Sequence, residues 1–352
     1  MSLSTLGPAV ACDLFKEWQR LRLEKPSIRA RDAAQQLKVS EAELVASRIG
    51  NDVIRLRPEW KALLGELTNL GPVMALTRNE YCVHERQGPY RELAISGNGR
   101  MGLVVSPDID LRLFLSGWTF AFAVDEVTSR GLLHSLQVFD AQGMAIHKVY
   151  LTENSHKDAW EALKTRFKET EQSCELTRVP LKARVPPCSD QKVDIEALRS
   201  GWAELKDTHH FHALLQRLGI ARTQALRLAG KEWAESLSVD VLPQVMNTAA
   251  AQQLPIMIFV GNQHCIQIHT GTLTTLKWVD TWFNVLDSAF NLHLQTSGIH
   301  TLWRVRKPSV DGIITSLEAY DHNGELIMQM FGARKPGQPE RAQWTALAES
   351  AQ

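Results

Sequence analysis

Placed against itself at an offset of 181 residues, the chain repeats. Leu111, Leu113, Ser116, Gly117, Val124, Gly131, Ser135, Leu136, Asp140 and Gly143 meet Leu292, Leu294, Ser297, Gly298, Val305, Gly312, Ser316, Leu317, Asp321 and Gly324. That is ten identities over 33 ungapped positions, where average composition gives about two or three. At an offset of 183, Pro72, Met74, Asn79, Cys82 and Gly88 meet Pro255, Met257, Asn262, Cys265 and Gly271. Gln36-Leu37-Lys38-Val39 also aligns with Arg217-Leu218-Gly219-Ile220. Any fold for this chain must therefore be two copies of one unit.

Each copy reads as α+β. Residues 10–23 and 28–49 have helical periodicity, and Ser40 with Glu43 makes a capping box. From about 72 to 150, short apolar runs alternate with turn residues. Val73–Leu76, Met101–Val105, Trp118–Val124 and Leu132–Phe139 are separated by Gly71-Pro72, Gly88-Pro89, Gly97-Asn98-Gly99 and Ala141-Gln142-Gly143. This is the texture of an antiparallel sheet. Residues 158–168 read as a helix. The expected organisation is an N-terminal repeat over 1–175, a proline-containing linker over 176–192, and a C-terminal repeat over 193–352.

With 39 basic and 39 acidic residues, the chain has no net charge with which to collect nucleic acid or anionic membrane. No apolar run reaches membrane-spanning length, and Met1-Ser2-Leu3-Ser4 does not open a signal peptide, so a cytoplasmic location is expected. Five widely spaced cysteines argue against a disulfide framework. The helix–turn–helix pattern around Lys38-Val39-Ser40-Glu41 invites a DNA-binding reading. In its second copy, however, Leu226 and Leu228 beside Arg222 and Arg227 favour packing.

The second copy also carries Asp207-Thr208-His209-His210-Phe211-His212 at the start of a helix that Asp207 or Thr208 can cap. Phe211, Leu214, Leu215 and Leu218 form the apolar stripe. At about 100° per residue His209 then points away from it, while His210 and His212 flank it. The first turn of a helix favours neutral imidazole, the form that ligates metal. One reading is three ordinary solvated histidines. A structural zinc site would need further ligands, and no Cys or His pair elsewhere supplies them. The other reading is one axial bond to a metal that brings its own ligands, as haem iron does. No Cys-x-x-Cys-His is present, so haem would be non-covalent and exchangeable.

Several motifs, in order along essentially the whole chain, resemble one family. They are Ala75-Leu76-Thr77-Arg78-Asn79, Asp110-Leu111-Arg112-Leu113-Phe114, Asp207-Thr208-His209, Ile256-Met257-Ile258-Phe259-Val260-Gly261-Asn262, Arg306-Lys307-Pro308 and Gly332-Ala333-Arg334. The sequence resembles the cytoplasmic haem-utilisation proteins of Gram-negative bacteria, the hemin-degrading factor family. That resemblance implies an α+β fold of two repeats, each a large antiparallel sheet with helices, and a haem cleft between the halves. It implies His209 as the axial ligand of haem b, with His210 and His212 as alternatives. It also implies Arg112 as the distal residue beside Phe114, and a pocket of Phe259, Lys307, Gln329, Phe331 and Arg334. Two departures stand out. Relatives typically carry one histidine in the Asp-x-His motif, and many carry tyrosine where this chain has Phe331.

The inventory suits the ligand. The phenylalanines offer flat apolar surface, and Lys307 and Arg334 can pair with propionates through charge-assisted bonds. The expected function is to sequester imported haem and pass it to a haem oxygenase. An inner-membrane haem importer is a further expected partner, and no catalytic residue is assigned. The rivals are a ring-opening, haem-degrading enzyme and a haem-responsive helix–turn–helix regulator. Against the enzyme, no nucleotide- or flavin-binding glycine motif is present.

Overall fold

The computed structural model describes residues 4–5, 8–129, 131–181, 184, 186–335 and 337–351. Strand β1 (Ser4–Thr5) is followed by helices α1 (Pro8–Glu24), α2 (Ala30–Gln36) and α3 (Glu41–Ala46), strand β2 (Val53–Leu56) and helix α4 (Trp60–Glu66). Strands β3 (Pro72–Arg78), β4 (Cys82–Pro89), β5 (Leu93–Ile95), β6 (Met101–Val105) and β7 (Asp110–Phe114) come next. Then follow β8 (Trp118–Thr128), β9 (Gly131–Asp140), β10 (Ala145–Leu151) and helix α5 (Lys157–Phe167). The linker residues Thr177–Arg178 form β11, which pairs with β1.

The series then recurs. Helices α6 (Ile195–Ala203), α7 (His210–Leu218) and α8 (Arg222–Ala229) precede β12 (Ala234–Leu237) and α9 (Val241–Ala251). Strands β13 (Ile256–Asn262), β14 (Cys265–Gly271), β15 (Leu276–Val279), β16 (Trp282–Leu286) and β17 (Phe290–Gln295) follow. Last come β18 (Thr301–Ser309), β19 (Gly312–Tyr320), β20 (Leu326–Gly332) and α10 (Ala342–Ser350). The strands make two nine-stranded antiparallel sheets, of order β15-β16-β17-β4-β3-β10-β9-β8-β2 and β12-β18-β19-β20-β13-β14-β7-β6-β5. The expected α+β duplication is the fold observed.

The repeated residues are repeated for physical reasons. Asp140 Oδ1 accepts from the amides of Gln142 and Met144, and Asp321 Oδ1 accepts from those of Asn323 and Glu325. Each of these turns closes on a glycine of positive φ, Gly143 at 83° and Gly324 at 72°. A Cβ on Gly117 would lie 2.0 Å from the His264 ring, and one on Gly298 would lie 2.1 Å from Tyr81. The helix–turn–helix pattern over 28–49 is observed as the two helices α2 and α3. Lys38 takes a left-handed φ of 58° between them, at the position where the second copy has Gly219 at 65°. Ser40 caps α3 in a complete capping box with Glu43.

The chain forms two compact units, and they are not its linear halves. The first comprises residues 1–78, 85–183 and 262–267, and the second 79–84, 184–261 and 268–352. Each unit thus contains a six-residue segment from the opposite repeat. In the first, Asn262 Nδ2 donates to the carbonyls of Arg78 and Ile146, while its Oδ1 accepts from the amides of His264 and Cys265. In the second, Asn79 Nδ2 donates to Gly261 and Ile327, and its Oδ1 accepts from Tyr81 and Cys82. Cys265 is accordingly buried in the first unit's core, and Cys82 in the second's. The packed bodies therefore do not follow a single linear boundary in the sequence.

Candidate functional site

In the second unit, α7 begins one residue later than the sequence implied. His209 is its N-cap, with helical φ and ψ, and no side chain caps the helix at that position. Asp207 Oδ1 instead accepts from the His209 amide at 2.8 Å and from His209 Nδ1 at 2.6 Å. The amide bond to His209 holds the Asp207 carboxyl below the usual carboxylate range. The His209 side chain is 91% exposed, and His210 and His212 are exposed as well. The stripe falls where expected, with Phe211, Leu214 and Leu215 buried.

Phe211 fixes this helix to the sheet beneath. Its ring meets Trp202 edge-on at 4.4 Å, and lies 4.9 Å from Lys307 Nζ and 5.3 Å from the Arg222 guanidinium. Both cations serve one buried carboxylate. Glu318 accepts from Lys307 Nζ at 2.6 Å, Arg222 Nη2 at 2.9 Å, Gln329 Nε2 at 2.8 Å and Ser316 Oγ at 3.0 Å, and the Tyr320 hydroxyl bonds to it as well. Burial pushes the Glu318 carboxyl up, but Arg222 and Lys307 outweigh it and hold the group well below its ordinary range. Burial pulls Lys307 down to about 8 against the attraction of Glu318.

Two of the sequence-predicted pocket residues meet at this carboxylate. The Lys307 side chain is 4% exposed, and its ammonium is paired with Glu318. Gln329 is held by the same carboxylate. Arg222, the basic residue of the supposed recognition helix, is likewise engaged, and Arg227 pairs with Asp190. The helical pair thus packs against the sheet, as Leu226 and Leu228 implied.

Phe259, Gln329 and Phe331 are brought together. Antiparallel register sets Phe259 opposite Gln329 and Met257 opposite Phe331, so all four share one half-buried sheet face. The Phe259 and Phe331 rings meet edge-to-face at 5.1 Å. Arg334 follows β20 and pairs with Asp311 at 3.0 Å. A cavity of about 420 Å³ lined by Leu226, Arg227, Lys231 and Trp303 contains none of the candidate residues.

Arg112 and Phe114 belong to the first unit, on β7. Arg112 pairs with Asp110, whose carboxyl is raised by burial despite the guanidinium. Register sets Phe114 opposite Met101 and Arg112 opposite Leu103, and Met101 and Leu103 are exposed. The result is a flat apolar surface with one cation in it. Glu318 escaped the sequence reading, because its partners are remote. Asp207, two residues before His209, was read as a cap and as part of the Asp-x-His motif, but not as a partner of the His209 ring.

The donor set, an exposed imidazole with flat aromatic faces, fits a planar metal macrocycle better than a bare ion. No cluster of three or more His, Cys, Asp or Glu side chains able to hold a metal occurs among the described residues. Nor is any described helix long and apolar enough to cross a membrane. A family model described as the haemin-degrading HemS.ChuX domain matches residues 38–167 and again 219–351. The chain is 41% identical over 332 residues to the hemin transport protein HemS of Yersinia enterocolitica, covering 94% of this chain and 95% of that one. The crystal structure of holo-PhuS, a heme-binding protein from Pseudomonas aeruginosa, matches with a TM-score of 0.96 at 61% identity, over 99% of each chain. ChuS, described as an E. coli heme oxygenase, matches with a TM-score of 0.86 at 35% identity, over 96% of this chain and 99% of that one. A duplicated α+β chain matched twice by one domain and along its length by these relatives belongs to the HemS/ChuX haem-utilisation family.

Proposed function

We propose that this chain is a cytoplasmic haem carrier. It takes up haem as non-covalent, exchangeable cargo through His209 and passes it to a haem oxygenase, with an inner-membrane importer as the source. The observation that carries this reading is His209 itself, exposed, at a helix start, with Nδ1 held by Asp207. Haem iron brings four equatorial nitrogens and needs one imidazole from the protein. Phe259 and Phe331 supply apolar surface, and Arg112 beside Phe114 supplies a cation on a second such surface. Arg334 is a candidate for a propionate, at the expense of its bond to Asp311.

The test is a haem titration of the full chain. Binding should be close to one-to-one, with a Soret band that His209→Ala changes. Arg112→Ala should move the pH at which iron-bound water deprotonates. An unaltered spectrum in the triple variant His209→Ala, His210→Ala, His212→Ala sinks the reading. The second reading is ring opening, favoured by the likeness to ChuS, a protein described as a heme oxygenase. Haem-loaded protein with reductant decides between them. Ring opening that persists in the presence of catalase makes the chain an enzyme, whereas loss of ring opening identifies peroxide side chemistry.

A further inference from the structure

Three histidines compete for one iron in this reading, and the structure treats them unequally. Asp207 Oδ1 takes two hydrogen bonds from His209, one from the amide at 2.8 Å and one from Nδ1 at 2.6 Å. A carboxylate only accepts, so Nδ1 carries the hydrogen and Nε2 keeps the lone pair. Bonding main chain and ring to the same oxygen fixes the side chain in direction as well as in tautomer. The loop bearing Asp207 is itself held. Leu205 is buried, and the Lys206 carbonyl accepts from the Val310 amide at 3.0 Å. Among the described residues, the side chains of His210 and His212 make no hydrogen bond.

We propose that Asp207 is the positioning residue that selects His209 from the cluster and strengthens it as a donor to ferric iron. The inference rests on the reading of His209 as axial ligand. Two effects act together. A ring already fixed in rotamer and tautomer loses less freedom on binding than a free one, so His209 outcompetes its neighbours. A hydrogen bond from Nδ1 to a carboxylate also moves electron density onto the ring, giving it part of the character of imidazolate. An anionic donor favours the more highly charged iron, so Asp207 biases bound haem toward the ferric state.

The experiment uses the haem-loaded full chain carrying His210→Ala and His212→Ala, so that His209 is the one ligand available from the cluster. Resonance Raman gives the iron–histidine stretch of the ferrous form, and redox titration gives the potential. Asp207→Asn keeps the shape and an acceptor oxygen but removes the charge. It should lower the stretching frequency, make the potential more positive, and speed ferric haem loss by about tenfold, the lower end for outer-shell partners. Asp207→Glu should recover part of each change. An unmoved stretch and potential in Asp207→Asn overturn the inference, provided His209→Ala in the same background abolishes the band. If the band survives His209→Ala, the ligand reading itself fails, and the inference with it.

Discussion

Glu41 and Arg222 occupy the same position in the two repeats, each the first residue of its helix, and they carry opposite charges. Each reaches from helix to sheet. Glu41 Oε1 accepts from Lys148 Nζ at 2.5 Å, whereas Arg222 Nη2 donates to Glu318 Oε2 at 2.9 Å. At the same 181-residue offset, Gln329 stands where the first repeat has Lys148, and Gln137 where the second has Glu318. The polarity of the buried helix–sheet pair has been inverted: its helix position is kept, while the charged sheet residue has moved to the cross-strand neighbour. A buried ion pair left with one partner is strongly destabilising, so both members have to differ together between the copies.

Glu41→Gln should therefore cost about 3–5 kcal/mol, because it strands the buried Lys148. In the native chain burial raises the Glu41 carboxyl, but Lys148 and Arg78 outweigh it and bring the group down to about 2. The stability it confers is thus complete above its ordinary value of 4.5, and lost as pH falls from there toward 2. Urea denaturation at pH 7 and pH 3 checks this, since the gap between wild type and variant should narrow at the lower pH.

The exchanged segments predict a matched pair of effects. Asn262→Ala removes two donors from main-chain carbonyls in the first unit, and Asn79→Ala does the same in the second. Each buried carbonyl left unpaired costs about 1–3 kcal/mol. Hydrogen exchange should show each substitution loosening its own unit, Asn262→Ala around 73–78 and 146–149, and Asn79→Ala around 256–261 and 327–330. Uniform loosening of both units by either variant would contradict the assignment.

The two exposed histidines without side-chain bonds offer a path for release. We expect that His210→Ala with His212→Ala leaves equilibrium haem binding nearly intact but slows transfer to a haem oxygenase. In the proposed carrier either imidazole can take the iron as His209 lets go, once the first turn of α7 frays, and helix ends open at little cost. Stopped-flow transfer should slow by about tenfold, a barrier change of ~1.4 kcal/mol. Transfer at the wild-type rate would leave these residues as solvated surface.

By itself the sequence determined the duplication, the α+β character, four strands of the first repeat, the capping box at Ser40, and the outward placement of His209. All of these rest on local rules: strand alternation, helical periodicity, a side chain bonding an amide three residues away. It also carried the motifs of the family. The tertiary structure decided what depends on which remote residues meet. The strand pattern of Arg306-Lys307-Pro308 shows a cation but not whether it faces water. Glu318, on the neighbouring strand, determines that it does not. The segment exchange is equally invisible locally, because Asn79 and Asn262 carry no sign of which carbonyls they will meet. Their carbonyl partners at Ile327 and Ile146 become neighbours only once the sheets have formed. Local bonds are written in adjacent residues, whereas a buried charge or an exchanged segment takes its meaning from partners that only folding brings within reach.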